Sequence, residues 1–210
     1  VVDLRPDLRI FDVGKTRSGK STWLRQATVC GSLERAIVLD TKGERPWIEF
    51  AHRYGYEIVN GERAAIAAML APEPPPRILA RCFDPFGDDA LELCETIFRT
   101  RYGTTVVDEL AHWSAGHTTN RGLRWIWTMG GGLGIGGYGA TQRPTGIWLG
   151  FISEADRHVI FRLELRRDRD TLEENGIAGV ERAASLDRFW WLYHSADDFE
   201  PAALMRPVSG

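Results

Sequence analysis

The chain has 210 residues, 43% hydrophobic and 26% charged, enough for one well-cored globular domain. Its net charge of −3 excludes the global basicity of a protein that coats nucleic acid, although positive charge can still be concentrated in a channel. No apolar stretch approaches the ~20 residues that cross a bilayer, residues 1–10 lack the layout of a secretory signal, and Cys30, Cys82 and Cys94 are too widely spaced for a zinc or disulfide framework; reduced thiols in a cytosolic compartment are expected.

The first element is a strand, Ile10 to Val13, and it runs into Gly14-Lys15-Thr16-Arg17-Ser18-Gly19-Lys20-Ser21, which matches G-x-x-x-x-G-K-[ST] at every fixed position. Glycines let consecutive N–H groups curl toward phosphates, and the helix that follows from Ser21 to Thr28 begins with its positive end facing them. The candidate nucleotide-binding set is therefore Gly14, Lys15, Thr16, Arg17, Ser18, Gly19, Lys20, Ser21 and Thr22, with Lys20 reaching the β- and γ-phosphates of ATP and Ser21 binding Mg²⁺. Ala36 to Asp40 is a second buried strand, and a helix through Trp47 to Ala51 follows, with Pro46 suited to its first turn. A short strand at Tyr56 to Val59, an Ala-rich helix from Glu62 to Leu70, and an irregular connection holding four prolines at Pro72 to Pro76 come next.

Ile78 to Phe83 reads as a strand and Asp88 to Arg99 as a helix; Thr104 to Val107 is another strand that ends on Asp108 and Glu109. Strands alternating with helices at this pace predict an α/β fold with a mainly parallel sheet covered on both faces. Leu123 to Met129 is helical, and the glycine cluster Gly130 to Gly139 is expected to be a mobile loop within one domain covering residues 1–210, a flexible linker being the alternative. The chain ends with strand-like runs at Val159 to Leu163 and Phe189 to Tyr193. Arginine is densest from Arg157 to Arg169, with Glu164 and Asp168 interleaved, so a solvated charged face is the plain alternative there.

Adjacent carboxylates at a strand end point in different directions, so Asp108 can hold Mg²⁺ while Glu109 orients and deprotonates an attacking water. Gln142 closes another apolar-to-polar transition and is a candidate γ-phosphate sensor, the alternative being a turn amide before Pro144. Asp40-Thr41-Lys42-Gly43-Glu44 is a candidate border of the same edge, a solvated loop being the equal alternative.

Together, Gly14 to Ser21, Asp40-Thr41-Lys42-Gly43, Val106-Val107-Asp108-Glu109 and Ala140-Thr141-Gln142-Arg143-Pro144 resemble the FtsK/HerA superfamily of ATP-driven DNA translocases, over about positions 10 to 165. Within it the chain looks most like the genome-packaging ATPases of membrane-containing icosahedral viruses, because 210 residues leave no room for the additional domains of the cellular relatives. The resemblance implies a RecA-like P-loop domain, a homo-oligomeric and usually hexameric ring, double-stranded DNA in a central channel, and a capsid-vertex or membrane-associated portal protein as a further partner. It places the protein in the host cytoplasm, with association at a packaging vertex of the virion. A trans-acting arginine is expected, with Arg157 the first choice and Arg143 and Arg162 behind it. The glycine cluster and the polar segment His112 to Arg121 are candidate DNA contacts, flexible surface being the alternative for either. A cellular or plasmid translocase is the near alternative; a small-molecule kinase and a nucleotide-bound scaffold are the alternatives of other classes.

Overall fold

The computed structural model describes residues 2, 4–31, 34–82, 84–197 and 200–206. β1 (Arg9–Val13) leads through the glycine-containing loop into α1 (Lys20–Cys30), followed by β2 (Ala36–Asp40), α2 (Arg45–Tyr54), β3 (Glu57–Asn60), α3 (Glu62–Met69), β4 (Arg77–Arg81), α4 (Asp88–Thr100) and β5 (Thr104–Val107). A 3-10 turn at Leu110–Trp113 and a small hairpin, β6 (Ser114–Ala115) and β7 (Thr118–Thr119), precede α5 (Arg121–Met129) and β8 (Gly137–Thr141). α6 (Gly150–Ser153), β9 (Arg157–Ile160), α7 (Arg166–Glu174), β10 (Trp191–Ser195) and β11 (Ala203–Met205) complete the chain.

Nine strands make one sheet in the order β11-β10-β9-β1-β8-β5-β2-β4-β3. Neighbours from β9 through β3 run parallel, and β10 and β11 are added antiparallel at one edge. This is the expected α/β architecture. Strands such as β2, Ala-Ile-Val-Leu-Asp, are buried at every position because helices cover both faces. On one face Ile10, Val38, Val106 and Tyr138 pack with Trp23 and Leu24 of α1 and Trp47 and Phe50 of α2. On the other, Phe11, Ile37, Ile78 and Val107 pack with Ala65, Leu93, Ile97, Ile126 and Trp127 from α3, α4 and α5. No described helix is long and apolar enough to cross a membrane.

The glycine cluster departs from its expected form. Its first part ends α5 through a 3-10 turn at Gly131–Leu133, but Gly137–Thr141 is β8, a fully buried strand between β1 and β5. Glycine is needed there for close approach rather than mobility. A Cβ on Gly137 would lie 2.5 Å from Trp127 Cζ3, and one on Gly139 would lie 2.8 Å from Leu110 Cδ1. Gly137 and Gly139 are thus core backbone, not DNA contacts. Smaller shifts occur at other strands: β10 starts at Trp191 rather than Phe189, and β4 closes at Arg81, while Phe83 lies outside the described residues.

Candidate nucleotide site

The loop after β1 is fastened on both sides by its backbone. Gly14 N–H donates to the Thr141 carbonyl at 3.3 Å, and Lys15 N–H donates to that of Arg162 at 3.0 Å, which ties the loop to the ends of β8 and of the segment after β9. Arg17 and Gly19 take left-handed conformations, with φ of 65° and 114°. A side chain at Gly14 would meet Phe161 Cβ at 2.5 Å and Ser18 Oγ at 2.9 Å, so the chain passes here only as glycine. α1 then begins at Lys20 with no acidic residue in its first turn and no side-chain cap, leaving its positive end open to an anion. Lys20 is buried, Ser21 is half-buried and Thr22 is exposed. These are the features a triphosphate requires.

Carboxylates line the same end of the sheet. Asp108 follows β5 and is buried; Trp47 Nε1 of α2 donates to its Oδ2 at 3.0 Å, while its Oδ1 is buried with no hydrogen-bond partner. That orphaned oxygen suits a cation or its bound water. Among the described residues no group of three or more His, Cys, Asp or Glu could hold a metal, so a Mg²⁺ site would rest on Ser21, Asp108 and the phosphates themselves. Asp12, in register with Ala140 and Val159, is completely buried with both oxygens unpartnered. Burial pushes its carboxyl well above the usual carboxylate range; attraction from Lys20 opposes this and repulsion from Asp108 adds to it.

Glu109 is the hub of a side-chain network. Its Oε1 accepts from Thr141 Oγ1 at 3.0 Å and from Gln142 N–H at 3.4 Å; its Oε2 accepts from Gln142 Nε2 at 3.3 Å and lies 3.3 Å from Lys42 Nζ. The other end of the Gln142 amide, Oε1, accepts from Thr16 Oγ1 of the loop at 2.8 Å. One amide therefore links the phosphate loop to the acid, donating on one side and accepting on the other. Asp40 Oδ1 accepts from the N–H groups of Lys42 (3.0 Å) and Gly43 (2.9 Å), which shapes the turn that delivers Lys42. Thr41 Oγ1 is 2.8 Å from His112 Nδ1, joining that turn to the segment after Glu109. The residues predicted from β1, β2, β5 and β8 thus come together at one edge.

Arg157, expected to act in trans, does not join them in its own chain. It opens β9 opposite Ile10, at the end of the sheet away from the loop, and it is buried. Its Nη1 donates to the Asp156 carbonyl at 2.7 Å and to Asp197 Oδ2 at 2.9 Å, within its own chain. Arg143 and Arg162 do stand beside the loop, roughly half exposed, with Nε 3.4 Å from Asp168 Oδ2 and 3.2 Å from Glu164 Oε1 respectively. Sequence reasoning missed Asp12, Trp47 and Thr141 as parts of the site. Asp12 carried a signal, a carboxylate inside an apolar strand; Trp47 carried none, because only the fold brings α2 over β5.

No family model matches the chain, and no curated protein matches it. Solved structures do. B204, the DNA-packaging ATPase of Sulfolobus turreted icosahedral virus, superposes with a TM-score of 0.76 at 16% identity, over 98% of this chain and 100% of that one. The fold shared with it is the P-loop NTPase fold. The genome-packaging NTPase B204 of Sulfolobus turreted icosahedral virus 2, in complex with AMPPCP, gives 0.75 at 15% identity, over 97% of this chain and all of that one. The pCW3 conjugation coupling protein TcpA, with ATPγS, gives 0.56 at 14% identity, over 97% of this chain and 60% of its own length.

Proposed function

We propose that this P-loop ATPase drives double-stranded DNA into a viral shell as one subunit of a homo-oligomeric ring, six being the expected number. The observation that carries the reading is the Gln142 bridge, which connects Thr16 of the phosphate loop to Glu109. A hydrolytic motor needs that connection, because the presence of a γ-phosphate must be reported to the residues that act on it. Lys20 and Ser21 would hold the triphosphate, and Ser21 with Asp108 would hold Mg²⁺, which when bound supplies positive charge to offset that developing on the phosphates. Glu109 accepts the proton of the attacking water, with Thr141 and Lys42 fixing the direction of its carboxylate. A kinase has no use for a water-directed acid at this position. The exposed β6–β7 hairpin, which follows Glu109 at the same end of the sheet, is our candidate DNA contact, with His117 at its tip. Likeness in fold to B204 supports packaging; the host cytoplasm, a capsid vertex and a portal protein are the location and partner that this reading entails, and likeness to TcpA keeps a plasmid-type translocase as the second reading.

The test is ATP hydrolysis with and without linear double-stranded DNA, in the wild type, Lys20→Ala and Glu109→Gln. DNA should raise the wild-type rate several-fold; Lys20→Ala should lose nucleotide binding, and Glu109→Gln should bind but not hydrolyse. Phosphate transfer to a small-molecule acceptor, with no response to DNA, would replace the motor by a kinase.

A further inference from the structure

Thr41 lies in the turn after β2, and its hydroxyl shares a hydrogen bond with His112 Nδ1, 2.8 Å away in the 3-10 turn that precedes the β6–β7 hairpin. We infer that Thr41 is a positioning residue, whose bond to His112 carries DNA engagement at the hairpin to Lys42, which then withdraws from Glu109 and admits the attacking water. The inference rests on the reading of the chain as a DNA-stimulated ATPase and adds how that site is regulated.

Three observations meet here. The first is that Glu109 is fully occupied. A carboxylate offers about four acceptor sites, two on each oxygen. Thr141 Oγ1 and Gln142 N–H fill Oε1 at 3.0 and 3.4 Å, while Gln142 Nε2 and Lys42 Nζ fill Oε2, both at 3.3 Å. A water that gives its proton to Glu109 must first hydrogen-bond to it, so one of these donors has to leave. Thr141 belongs to the buried strand β8, and the Gln142 amide is tied to Thr16. Lys42, in a turn and with 23% of its side chain exposed, is the donor that can move.

The second is a closed circuit of contacts. His112 N–H donates to the Glu109 carbonyl at 3.1 Å, the His112 ring meets Thr41, Lys42 follows Thr41 in the chain, and Lys42 Nζ returns to Glu109 Oε2. Asp40 Oδ1 accepts from the N–H groups of both Lys42 and Gly43, so the turn holds its shape and a displacement of Thr41 displaces Lys42 with it. Thr41 is thus where the segment after Glu109 grips the residue that blocks its carboxylate.

The third is the fastening of the hairpin. Ser114 Oγ donates to the Leu110 carbonyl at 3.0 Å and Thr119 Oγ1 to that of Trp113 at 2.6 Å, so both strands are tied to the 3-10 turn and hairpin and turn form one piece. Leu110 and Trp113 are buried, whereas Ala111 and His112 between them are exposed, as are Gly116 and His117 at the tip. A force on the tip therefore rocks this piece about its buried residues and moves His112.

The experiment measures ATP hydrolysis with and without linear double-stranded DNA in the wild type, Thr41→Val, Thr41→Ser, His112→Phe and the Thr41→Val/His112→Phe double variant. ATP affinity, DNA affinity and melting curves are taken on the same preparations. Valine keeps the shape of threonine and removes its hydroxyl. Thr41→Val should keep basal turnover and both affinities within about twofold of the wild type while losing about half or more of the stimulation by DNA. Thr41→Ser, which retains the hydroxyl, should be stimulated like the wild type. His112→Phe should lose stimulation too, and the double variant should lose no more than the larger single loss, because both changes remove one bond. Full stimulation of Thr41→Val would overturn the inference. So would a loss of stimulation matched by a loss of DNA affinity, since the turn would then be shaping the DNA contact, and so would losses that add in the double variant. A wild type that does not hydrolyse ATP, or hydrolyses it without response to DNA, would instead bring down the proposed function and this inference with it, a result read from the wild type alone.

Discussion

A single amide, Gln142, stands between the phosphate loop and Glu109, the residues we propose bind the nucleotide and activate water. Removing it as Gln142→Ala would leave Thr16 Oγ1 without its acceptor and take one side-chain donor from Glu109 Oε2, which would retain Lys42. A hydrogen bond to a charged group is worth about 1.5–3 kcal/mol, so hydrolysis should fall about ten- to a hundredfold if that bond sets the angle of the acid in the transition state. Affinity for ATP should change little, because Lys20, Ser21 and the loop backbone are untouched. The expected outcome is residual basal turnover with DNA movement lost, measured by comparing nucleotide affinity, hydrolysis rate and displacement of a triplex-forming third strand from duplex DNA in one preparation. A variant that moves DNA at the wild-type rate would return Gln142 to the role of a turn residue. Asp12 makes a different point at this scale: a buried carboxyl with both oxygens unpartnered, next to the charge of Lys20, belongs to the electrostatics of the loop although the P-loop pattern does not include it.

At the scale of elements, β8 separates what a sequence discloses from what only packing decides. β2 and β5 were legible because branched apolar runs leading to a carboxylate are the pattern of buried parallel strands, β1 was legible as the apolar run that feeds the loop motif, and that motif was legible because its glycines and lysine are fixed by local geometry. β8, Gly-Tyr-Gly-Ala-Thr, carries no such pattern: glycine is depleted in strands, and the reason for it here is the Trp127 ring and Leu110 lying across the backbone. β11 and the hairpin at Ser114 to Thr119 were missed because they are two- or three-residue pairings set by tertiary contact. The site shows the same division, since its members on strand ends were readable and the tryptophan lent by α2 was not. Two glycines from the one cluster make this testable. Gly139→Ala would press a methyl into Leu110 and Trp127 and should cost about 1–3 kcal/mol, whereas Gly132→Ala has nothing within 4 Å and should be neutral or slightly stabilising. Urea denaturation of both variants checks this; equal stabilities would mean that β8 is not packed as described.

For the whole molecule, the proposed chemistry sits at the carboxyl ends of the parallel strands, and a stability element sits near the other end, where the antiparallel edge joins. His158 of β9 and His194 of β10 face each other with their Nδ1 atoms 3.3 Å apart, and His158 Nε2 is 2.9 Å from the Ile152 carbonyl of α6. Burial lowers the His158 pKa to about 4; the bond to Ile152 opposes this and His194 adds to it. An unfolded histidine takes up its proton near pH 6.5, so between about pH 6.5 and 4 the unfolded chain holds a proton that the folded one refuses. Stability is therefore intact above that window and falls as the pH drops through it, by roughly 3 kcal/mol in all. His158→Gln, which keeps a donor for Ile152 but cannot titrate, should flatten the dependence even if it is less stable at pH 7. Urea midpoints measured from pH 4 to 8 test this, and a variant as acid-sensitive as the wild type would move the effect to other groups. Saturating nucleotide gives an independent check. It stabilises by mass action at the opposite end of the sheet, so at a fixed ratio of ligand to Kd it should raise the wild-type and variant curves by equal amounts without changing their difference.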